Sequence, residues 1–315
     1  MDKRRLGHSS LEVAPLAFGG NVFGWTVDEQ TSFGLLDRFV ASGCNLIDTA
    51  DVYSRWVIGH AGGESERIIG KWLKRSGKRY DVVLATKVGM DMGAGKKGLS
   101  KNYILQAVEA SLQRLQTDFI DLYQSHVDDA DAPLDDTLDA YALLIKQGKV
   151  RAIGASNYSA PRLQQAMRVS QQNAFPGYQC VQPEYNLYRR HDYESGLEAT
   201  CQAHGIGVIP YFSLASGFLT GKYRNQQDLT QSVRGGGVAK YMNERGFRIL
   251  DALDAVAKEQ HATPAQIALA WLMARPSVTA PITSATSIAQ LDELISATRL
   301  QLSRAAIERL NQASA

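Results

Sequence analysis

Short apolar runs alternate along most of the chain with longer segments in which apolar residues recur every three or four positions. The runs are typical of buried parallel strands, and the longer segments are typical of helices that pack one face on a sheet. From Leu16 onward the pattern predicts eight strands, each followed by a helix. The predicted strands are Leu16–Phe18, Cys44–Ile47, Val82–Val88, Phe119–His126, Val150–Ser156, Tyr178–Pro183, Ile206–Phe212 and Val278–Ile282.

Helix signals fill the intervals between these strands. Asp28 is a predicted N-cap of the first helix, which stops at Gly43. The other predicted helices are Glu64–Lys74, Ser100–Leu115, Leu134–Lys146, Ala160–Ser170, Tyr193–Ala203, Asn243–Glu259, Pro264–Ala274, Ile288–Ala297 and Ser303–Ala313. We therefore predict one α/β domain over residues 1–315, a (β/α)₈ TIM barrel with extra C-terminal helices. Lys3–Leu6 and Leu11–Ala14 predict an N-terminal β-hairpin, and a doubly wound sheet is the alternative fold.

Composition narrows the class of partner. Hydrophobic residues make up 44% of the chain and charged residues 21%, as in ordinary globular proteins. Lys+Arg 34 against Asp+Glu 32 leaves a charge of +2, so we expect neither nucleic acid nor an anionic membrane as a partner. Three cysteines without a CxxC motif, and no apolar run near ~18 residues, predict a reduced, cytoplasmic protein.

Titratable side chains stand at the ends of several predicted strands. Asp48 ends the second strand, Lys87 lies near the end of the third, and His126 ends the fourth. A lysine in an apolar strand is rarely buried without a partner, so we predict that Asp48 pairs with Lys87. In α/β barrels the carboxyl ends of the strands meet at the catalytic face. The alternative is a purely structural ion pair with a hydrogen-bonded core histidine.

Together with Tyr53, these residues predict a proton donor. A tyrosine hydroxyl has an ordinary pKa of about 10, and an adjacent ammonium group is expected to lower that pKa toward neutral pH. The Asp48 carboxylate would keep Lys87 charged and aimed at Tyr53. His126 would hydrogen-bond a substrate oxygen and orient it.

Several motifs resemble those of the aldo-keto reductases, over nearly the whole chain. They are Leu16-Ala-Phe-Gly-Gly20, Asn45-Leu-Ile-Asp-Thr-Ala-Asp-Val-Tyr53, Gly63-Glu-Ser-Glu66, Ala85-Thr-Lys-Val88, Tyr123-Gln-Ser-His126, Gly148-Lys-Val-Arg-Ala-Ile-Gly-Ala-Ser-Asn157 and Ser216-Gly-Phe-Leu-Thr-Gly-Lys-Tyr223. The resemblance implies a nicotinamide-dependent carbonyl reductase without a metal. It also implies a catalytic tetrad of Asp48, Tyr53, Lys87 and His126.

The resemblance implies a cofactor site as well. Ser156, Asn157 and Gln182 match the residues that bind the carboxamide, and Tyr211 matches the ring on which the nicotinamide stacks. The implied cofactor-binding residues are Gly20, Asn21, Ser156, Asn157, Gln182, Tyr211, Ser213, Leu214, Ser216, Gly217, Leu219, Gly221, Lys222, Arg224, Ser284, Thr286, Gln290 and Glu293. Backbone amides and a lysine in the loop from Leu214 to Lys222 suit an anionic pyrophosphate.

Three departures from the family pattern bear on this site. Tyr211-Phe-Ser-Leu214 stands where the family often has Tyr-Ser-Pro-Leu, which predicts a different start of the loop. Ser284-Ala-Thr-Ser287 lacks the usual cation for a 2′-phosphate, and Leu294 replaces the Asn that often follows Glu293. NADPH is the predicted cofactor on resemblance, with Lys222 and Arg224 as the remaining candidate cations and NADH as the alternative.

The expected substrate is a small carbonyl compound. Phe23, Trp25 and Trp56 are the predicted pocket walls, and the protein is expected to be a monomer or a homo-oligomer. One alternative function is a metal-dependent barrel hydrolase built on Asp48, Asp51, His126 and His191; the first strand, however, lacks the HxH pair of such enzymes. Another is a nucleotide-binding redox sensor or regulatory subunit.

Overall fold

The computed structural model describes residues 2–93, 95–233 and 235–315, and within them two sheets are present. Strands β1 (Arg4–Arg5) and β2 (Glu12–Val13) form the predicted N-terminal hairpin. Eight parallel strands form the second sheet. They are β3 (Ala17–Gly19), β4 (Leu46–Asp48), β5 (Val83–Val88), β6 (Ile120–Ser125), β7 (Val150–Ser156), β8 (Cys180–Gln182), β9 (Gly207–Val208) and β10 (Ile282–Thr283).

Helices follow the strands in the predicted order. They are α1 (Glu29–Ala41), α2 (Glu64–Ser76), α3 (Lys101–Leu115), α4 (Leu134–Lys146), α5 (Ala160–Asn173), α6 (His191–Glu194), α7 (Leu197–Ala203), α8 (Glu244–Gln260), α9 (Pro264–Met273), α10 (Ile288–Ser296) and α11 (Arg304–Ala313). Asp28 accepts a hydrogen bond from the Thr31 backbone N–H, so its predicted role as an N-cap is confirmed. No helix in these ranges is long and apolar enough to cross a membrane.

The eight-stranded sheet closes on itself. Strand β10 pairs with β3, the first strand of the sheet. On its other side, the backbone N–H of Thr279 donates to the Val208 carbonyl (2.8 Å), and that of Ile282 donates to the Pro210 carbonyl (2.9 Å). These bonds join the segment leading into β10 to β9. The predicted (β/α)₈ barrel is confirmed.

Two apolar cores lie on the two sides of the barrel wall. Inside, alternate strand residues meet the hairpin, which closes the amino-terminal end of the barrel. This inner cluster comprises Leu6, Leu11, Val13, Ala17, Leu46, Val83, Ala85, Leu122, Ala152, Cys180, Ile209, Ala280 and Ile282. Outside, the larger cluster joins the other face of the strands to the helices. Burial on both faces explains why these strands are nearly continuous apolar runs in the sequence.

Several elements differ from their predicted extent; strand β8, predicted as Tyr178–Pro183, is limited to Cys180–Gln182. The predicted helix Tyr193–Ala203 is two short helices, α6 and α7, separated at Ser195 and Gly196, because glycine is a poor helix residue. Strands β9 and β10 are shorter than predicted. Pro210 and Pro281 lie in these segments and have no backbone N–H to donate to a ladder, although their carbonyls still accept hydrogen bonds.

Candidate active site

The polar cluster at the carboxyl end of the barrel follows from the period of the strands. Side chains two positions apart point to the same face, so Lys87 shares the inner face with Ala85, and Asp48 shares it with Leu46. The innermost layers are apolar, and the last layer is polar. Its buried members are Asp48, Lys87, Gln124, His126, Ser156 and Gln182. The fold therefore gathers six polar side chains, from β4 to β8, at one end of the barrel.

Lys87 is the centre of this layer and is fully buried. Its ammonium group lies 2.6 Å from Asp48 Oδ2, 2.7 Å from the Thr49 carbonyl oxygen and 3.3 Å from the Tyr53 hydroxyl. Burial alone would lower the pKa of Lys87, but the Asp48 carboxylate and the Tyr53 hydroxyl outweigh it and raise that pKa. Lys87 is therefore a fixed cation that joins the carboxylate to the phenol, and the predicted Asp48–Lys87 contact is present.

The second oxygen of Asp48 is held by two amides. Gln182 Nε2 donates to Asp48 Oδ1 at 2.9 Å, and Gln124 Nε2 donates at 3.2 Å. Gln182, the last residue of β8, therefore bonds the Asp48 carboxylate at the end of β4. A buried carboxylate needs its oxygens satisfied, and here one ammonium and two amides share that task. Gln124 is absent from the sequence-based set; its signal is a polar inward position two residues before His126.

Tyr53 stands at the mouth of the barrel, partly exposed beside the buried Lys87. Its ring meets the His126 ring edge-on, with centroids 5.8 Å apart. Burial raises the pKa of Tyr53, and the Lys87 ammonium only partly offsets this effect. The sequence-based expectation of a lowered Tyr53 pKa is wrong in direction, because desolvation of the phenolate exceeds the attraction of the single ammonium. Tyr53 is therefore in its protonated, donating form at neutral pH.

His126 is a neutral imidazole in this layer. Burial and the nearby Lys87 ammonium hold its pKa well below the ordinary value. Its Nδ1 atom has no hydrogen-bond partner among the residues described. Its backbone is fixed on both sides, since its N–H donates to the Val88 carbonyl and its carbonyl accepts from Asn157 Nδ2. A neutral ring in a fixed position suits a hydrogen bond to a substrate oxygen.

The first turn of α2 positions the loop that carries Tyr53. Glu64 accepts hydrogen bonds from the backbone N–H groups of Ser54 and Ala61, both at 3.2 Å. Ser65 Oγ accepts from Thr49 Oγ1 and donates to the Gly20 carbonyl. The helix start thus ties the ends of β3 and β4 to the Tyr53 loop. Gly63-Glu-Ser-Glu66 therefore has a structural role beside the strand-end motif.

The residues predicted to hold a nicotinamide lie together beside the tetrad. Tyr211 donates its hydroxyl hydrogen to Asn157 Oδ1 at 2.8 Å, and Asn157 Nδ2 lies 3.1 Å from Ser156 Oγ. Ser156 Oγ in turn donates to the Gln182 carbonyl at 2.9 Å. Asn157 adopts a left-handed backbone conformation, with φ of 59°. This chain of amides and hydroxyls offers donors and acceptors for a carboxamide next to a partly exposed tyrosine ring.

The predicted pyrophosphate loop has an unusual backbone. Phe212, Ala215 and Ser216 have φ angles of 51°, 48° and 58°, which non-glycine residues rarely adopt. A Cβ atom on Gly217 would lie 3.9 Å from the Lys222 ammonium nitrogen, so this cation stands over the turn. Ser213 is buried and bonded to the Pro210 carbonyl, and Leu219 packs its side chain in the core. Left-handed turns beside a lysine fit an anionic group.

The adenosine end of the predicted site lies between β3 and α10. Ser284 Oγ lies 2.7 Å from the Gly19 carbonyl oxygen and 2.8 Å from Asn21 Oδ1. Gln290 Oε1 accepts from the Thr286 backbone N–H and from its hydroxyl. These contacts bring hydroxyl and amide groups together immediately before the first turn of α10.

Two predicted cofactor residues are engaged elsewhere in the protein. The Arg224 guanidinium lies 2.8 Å from Asp254 and donates to the Gly221 carbonyl. Glu293 Oε1 accepts a hydrogen bond from Thr263 Oγ1 at 2.7 Å. Arg224 as a phosphate ligand stays a prediction, and its charge is paired with Asp254 in this structure.

Two of the three predicted pocket walls stand beside Tyr53. Trp56 is 48% exposed and meets Tyr53 edge-on, with ring centroids 5.5 Å apart. Trp25 meets Trp56 in the same way at 5.6 Å. The prediction of Phe23 as a pocket wall is corrected by the structure. Its side chain is fully buried and stacks on Phe18, with ring centroids 5.2 Å apart, so it belongs to the core. A ring with no polar group gains more from complete burial than from lining a wet cleft.

The residues of the metal-hydrolase alternative are not brought together. Asp48 has its oxygens taken by Lys87 and two amides, and His191 is exposed at the start of α6. Across residues 2–93, 95–233 and 235–315, no group of three or more His, Cys, Asp or Glu side chains is arranged to hold a metal ion.

The first prediction concerns the contribution of the buried Lys87–Asp48 pair to the stability of the fold. Lys87→Met removes the only ammonium bonded to Asp48 among the residues described and leaves an uncompensated buried carboxylate, which costs roughly 3–5 kcal/mol. We expect a lowered melting temperature, partly restored in the double variant Asp48→Asn/Lys87→Met. Thermal unfolding of the three proteins measures this, and an unchanged melting temperature of Lys87→Met would contradict it.

A second prediction concerns Asp51, which is 2% exposed. Burial and the neighbouring Glu66 carboxylate raise the pKa of Asp51 from its ordinary 3.8 to about 8. The unfolded chain therefore loses this proton first, and the stability of the fold declines as pH rises between these two values. Asp51→Asn carries no such proton, so its melting temperature relative to wild type should rise between pH 5 and pH 8.5, by about 2 °C or more.

Asp121→Asn is the matched control for this measurement. Asp121 is equally buried but lies 2.8 Å from both Arg79 and Arg151, so its carboxylate is compensated. Its removal should destabilise the fold at pH 8.5. A melting-temperature difference between Asp51→Asn and wild type that is constant from pH 5 to pH 8.5 would refute the prediction.

Comparisons with known proteins show the family of the chain. A sequence model of the Aldo/keto reductase family matches residues 15–315. The chain is 34% identical to "Uncharacterized oxidoreductase YrpG" of Bacillus subtilis, over 99% of this chain and 95% of that protein.

Two further relatives cover a similar share. The "Probable voltage-gated potassium channel subunit beta" of Arabidopsis thaliana is 33% identical, over 93% of this chain and 90% of that protein. "Aldo-keto reductase yakc [NADP(+)]" of Schizosaccharomyces pombe is 30% identical, over 90% and 83% respectively. The chain belongs to the aldo/keto reductase family and is an NAD(P)H-dependent oxidoreductase.

Proposed function

We propose that this protein reduces an aldehyde or ketone to the alcohol, with NADPH as cofactor and Tyr53 as proton donor. The observation that carries the proposal is the position of the Lys87 ammonium, 2.6 Å from Asp48 and 3.3 Å from the Tyr53 hydroxyl. A cation next to a phenol stabilises the phenolate that remains after the proton has left. When bound, the nicotinamide would supply the hydride.

Each member of the tetrad has a separate task in this proposal. Tyr53 Oη donates its proton to the carbonyl oxygen as negative charge develops there. The neutral His126 ring donates a hydrogen bond to the same oxygen and orients it. Asp48 keeps Lys87 charged and aimed, and the amides of Gln124 and Gln182 keep Asp48 in place.

The cofactor residues would act by binding and orientation. Asn157, Ser156 and Gln182 would hold the carboxamide, and the Tyr211 ring would support the nicotinamide. The left-handed turn at Ser216 and Gly217, with Lys222 above it, would hold the pyrophosphate. Trp25 and Trp56 would form the wall of the substrate pocket on the side of Tyr53.

NADPH rather than NADH is supported by two observations. One relative carries NADP(+) in its name, and the first turn of α10 follows directly after Ser284–Ser287. A helix N-terminus attracts phosphate through its backbone N–H groups, which lessens the need for an arginine there. Lys222 is the remaining candidate cation of the sequence-based pair, since Arg224 is bound to Asp254.

A second candidate function rests on the plant relative. That protein is named as a probable potassium channel subunit, so a nucleotide-binding regulatory subunit is the competing proposal. The two differ in turnover. The regulatory role would be favoured if NADPH binding quenches the fluorescence of the purified protein and the protein reduces no aldehyde or ketone in a broad screen.

The proton-donor assignment predicts the behaviour of Tyr53→Phe. Loss of a positioned general acid should lower kcat by a factor of about 10² to 10⁴, because the alkoxide no longer receives a proton. NADPH binding, followed by fluorescence titration, should remain. Tyr80→Phe is the matched control, since Tyr80 is 82% exposed and packs against Phe119 just before β5 and β6 begin, at the opposite end of the strands from the tetrad. Near-normal reduction by Tyr53→Phe would overturn the assignment.

Cofactor choice gives a further prediction. We expect kcat/KM with NADPH to exceed that with NADH at low ionic strength, by about tenfold or more, because one charge-assisted hydrogen bond contributes about 1.5–3 kcal/mol. Added salt should narrow the gap, since the Lys222 side chain is exposed. Lys222→Met should narrow it as well, whereas Arg224→Met should leave the ratio unchanged. Equal values for both cofactors at low salt would sink the NADPH preference.

A further inference from the structure

Asp51 is a buried carboxyl group to which the proposed roles of the tetrad assign no task. It lies between Asp48 and Tyr53 in the chain and is 2% exposed. Neither of its side-chain oxygens has a hydrogen-bond partner in the part of the chain that the structure describes. Buried polar atoms are almost always paired, and a carboxylate without a partner is among the least favourable groups in a protein interior.

The surroundings of Asp51 explain why none of the described cations bonds its carboxyl group. The titratable groups that act on it or are acted on by it come from every neighbouring element: Tyr53 of its own loop, Glu66 of α2, Lys87 of β5, Tyr103 and Arg114 of α3, Tyr123 of β6 and Tyr141 of α4. Arg114 would be the natural partner. Its Nε donates instead to Glu66 at 2.6 Å, and Glu66 also accepts from Thr86.

The same group is linked to the proton donor by the backbone and by charge. The Asp51 backbone N–H donates to the Lys87 carbonyl at 3.3 Å, so Asp51 is fastened to the strand that carries the catalytic ammonium. A negative charge on Asp51 raises the pKa of Tyr53, and the Lys87 ammonium lowers the pKa of Asp51. Asp51 does not bond any atom of the tetrad side chains among the contacts described, so its influence is electrostatic and positional.

We propose that Asp51 is a positioning residue that acts on Tyr53 from behind the barrel wall: as a neutral acid it leaves the Lys87–Tyr53 pair undisturbed, and as a carboxylate it opposes ionisation of Tyr53. This inference rests on the proposed role of Tyr53 as proton donor. Transfer of the Tyr53 proton leaves a phenolate, and a second negative charge nearby makes that phenolate less stable. Carbonyl reduction should therefore be fast with Asp51 protonated and slower with Asp51 ionised.

The pH range follows from the burial of the group. Because the pKa of Asp51 is raised to about 8, its carboxyl is neutral at pH 6.5 and ionised at pH 9.5. Tyr53 keeps its proton over this range, since its own pKa is raised above 10. We expect kcat/KM for reduction by the wild type to fall between these two pH values by about twofold or more, because the ionised Asp51 opposes ionisation of Tyr53.

The experiment compares wild type with Asp51→Asn and Asp51→Ala, using one aldehyde that the wild type reduces and saturating NADPH. The measured quantity is the ratio of kcat/KM at pH 6.5 to kcat/KM at pH 9.5, with each protein as its own reference. Both variants should lose the fall near pH 8, and Asp51→Glu should restore it. Two non-ionisable variants of different size are used because one of them could fail to fold. Thermal unfolding at both pH values will detect such a folding defect.

Each result has a distinct meaning. A fall near pH 8 in wild type that is absent from both non-ionisable variants supports the inference. A fall that persists in both variants overturns it, as does an equal loss of activity at every pH, which would indicate a structural role only. If the wild type reduces no carbonyl compound, or Tyr53→Phe is fully active, it is the proposed function that fails, and the two failures remain distinguishable.

Discussion

A lysine held inside a barrel is the constraint on which the rest of the site depends. The Lys87 ammonium is fully buried, and such a charge is tolerated only with close, well-placed partners. Asp48 supplies the opposite charge, the Thr49 carbonyl supplies a second acceptor, and Tyr53 supplies the third contact. The arrangement that makes the lysine stable is the same one that places a cation beside a phenol. Stability and proposed chemistry therefore rest on one set of contacts.

The architecture confines the buried charges and their polar partners to one end of the barrel. Alternate residues of each strand face the barrel interior, and the layers below Asp48 and Lys87 are apolar up to the hairpin that closes the opposite end. Outside the wall, a continuous apolar core holds the helices against the strands. The first turn of α2 then fixes the Tyr53 loop through Glu64 and Ser65. A rigid scaffold carries the few groups that must not move.

Two carboxyl groups three residues apart have opposite surroundings in this structure. Asp48 faces the barrel interior and is bonded to one ammonium and two amides, whereas Asp51 lies behind the wall with its oxygens unbonded in the described part of the chain. The difference follows from strand geometry, since only the first of them continues the inward phase of β4. Asp51, whose pKa is raised to about 8, is therefore protonated at neutral pH.

The sequence by itself determined the order of elements, the barrel class and every named member of the polar layer except Gln124. Period-two strands and capped helices leave local signatures, and the motifs around Asp48, Lys87 and His126 are specific. The tertiary structure decided what depends on distant neighbours. It buried Phe23 against Phe18, directed Arg224 to Asp254, raised rather than lowered the pKa of Tyr53, and left Asp51 without a partner among the residues described. Solvation and charge pairing are properties of three-dimensional surroundings, and a linear pattern does not contain them.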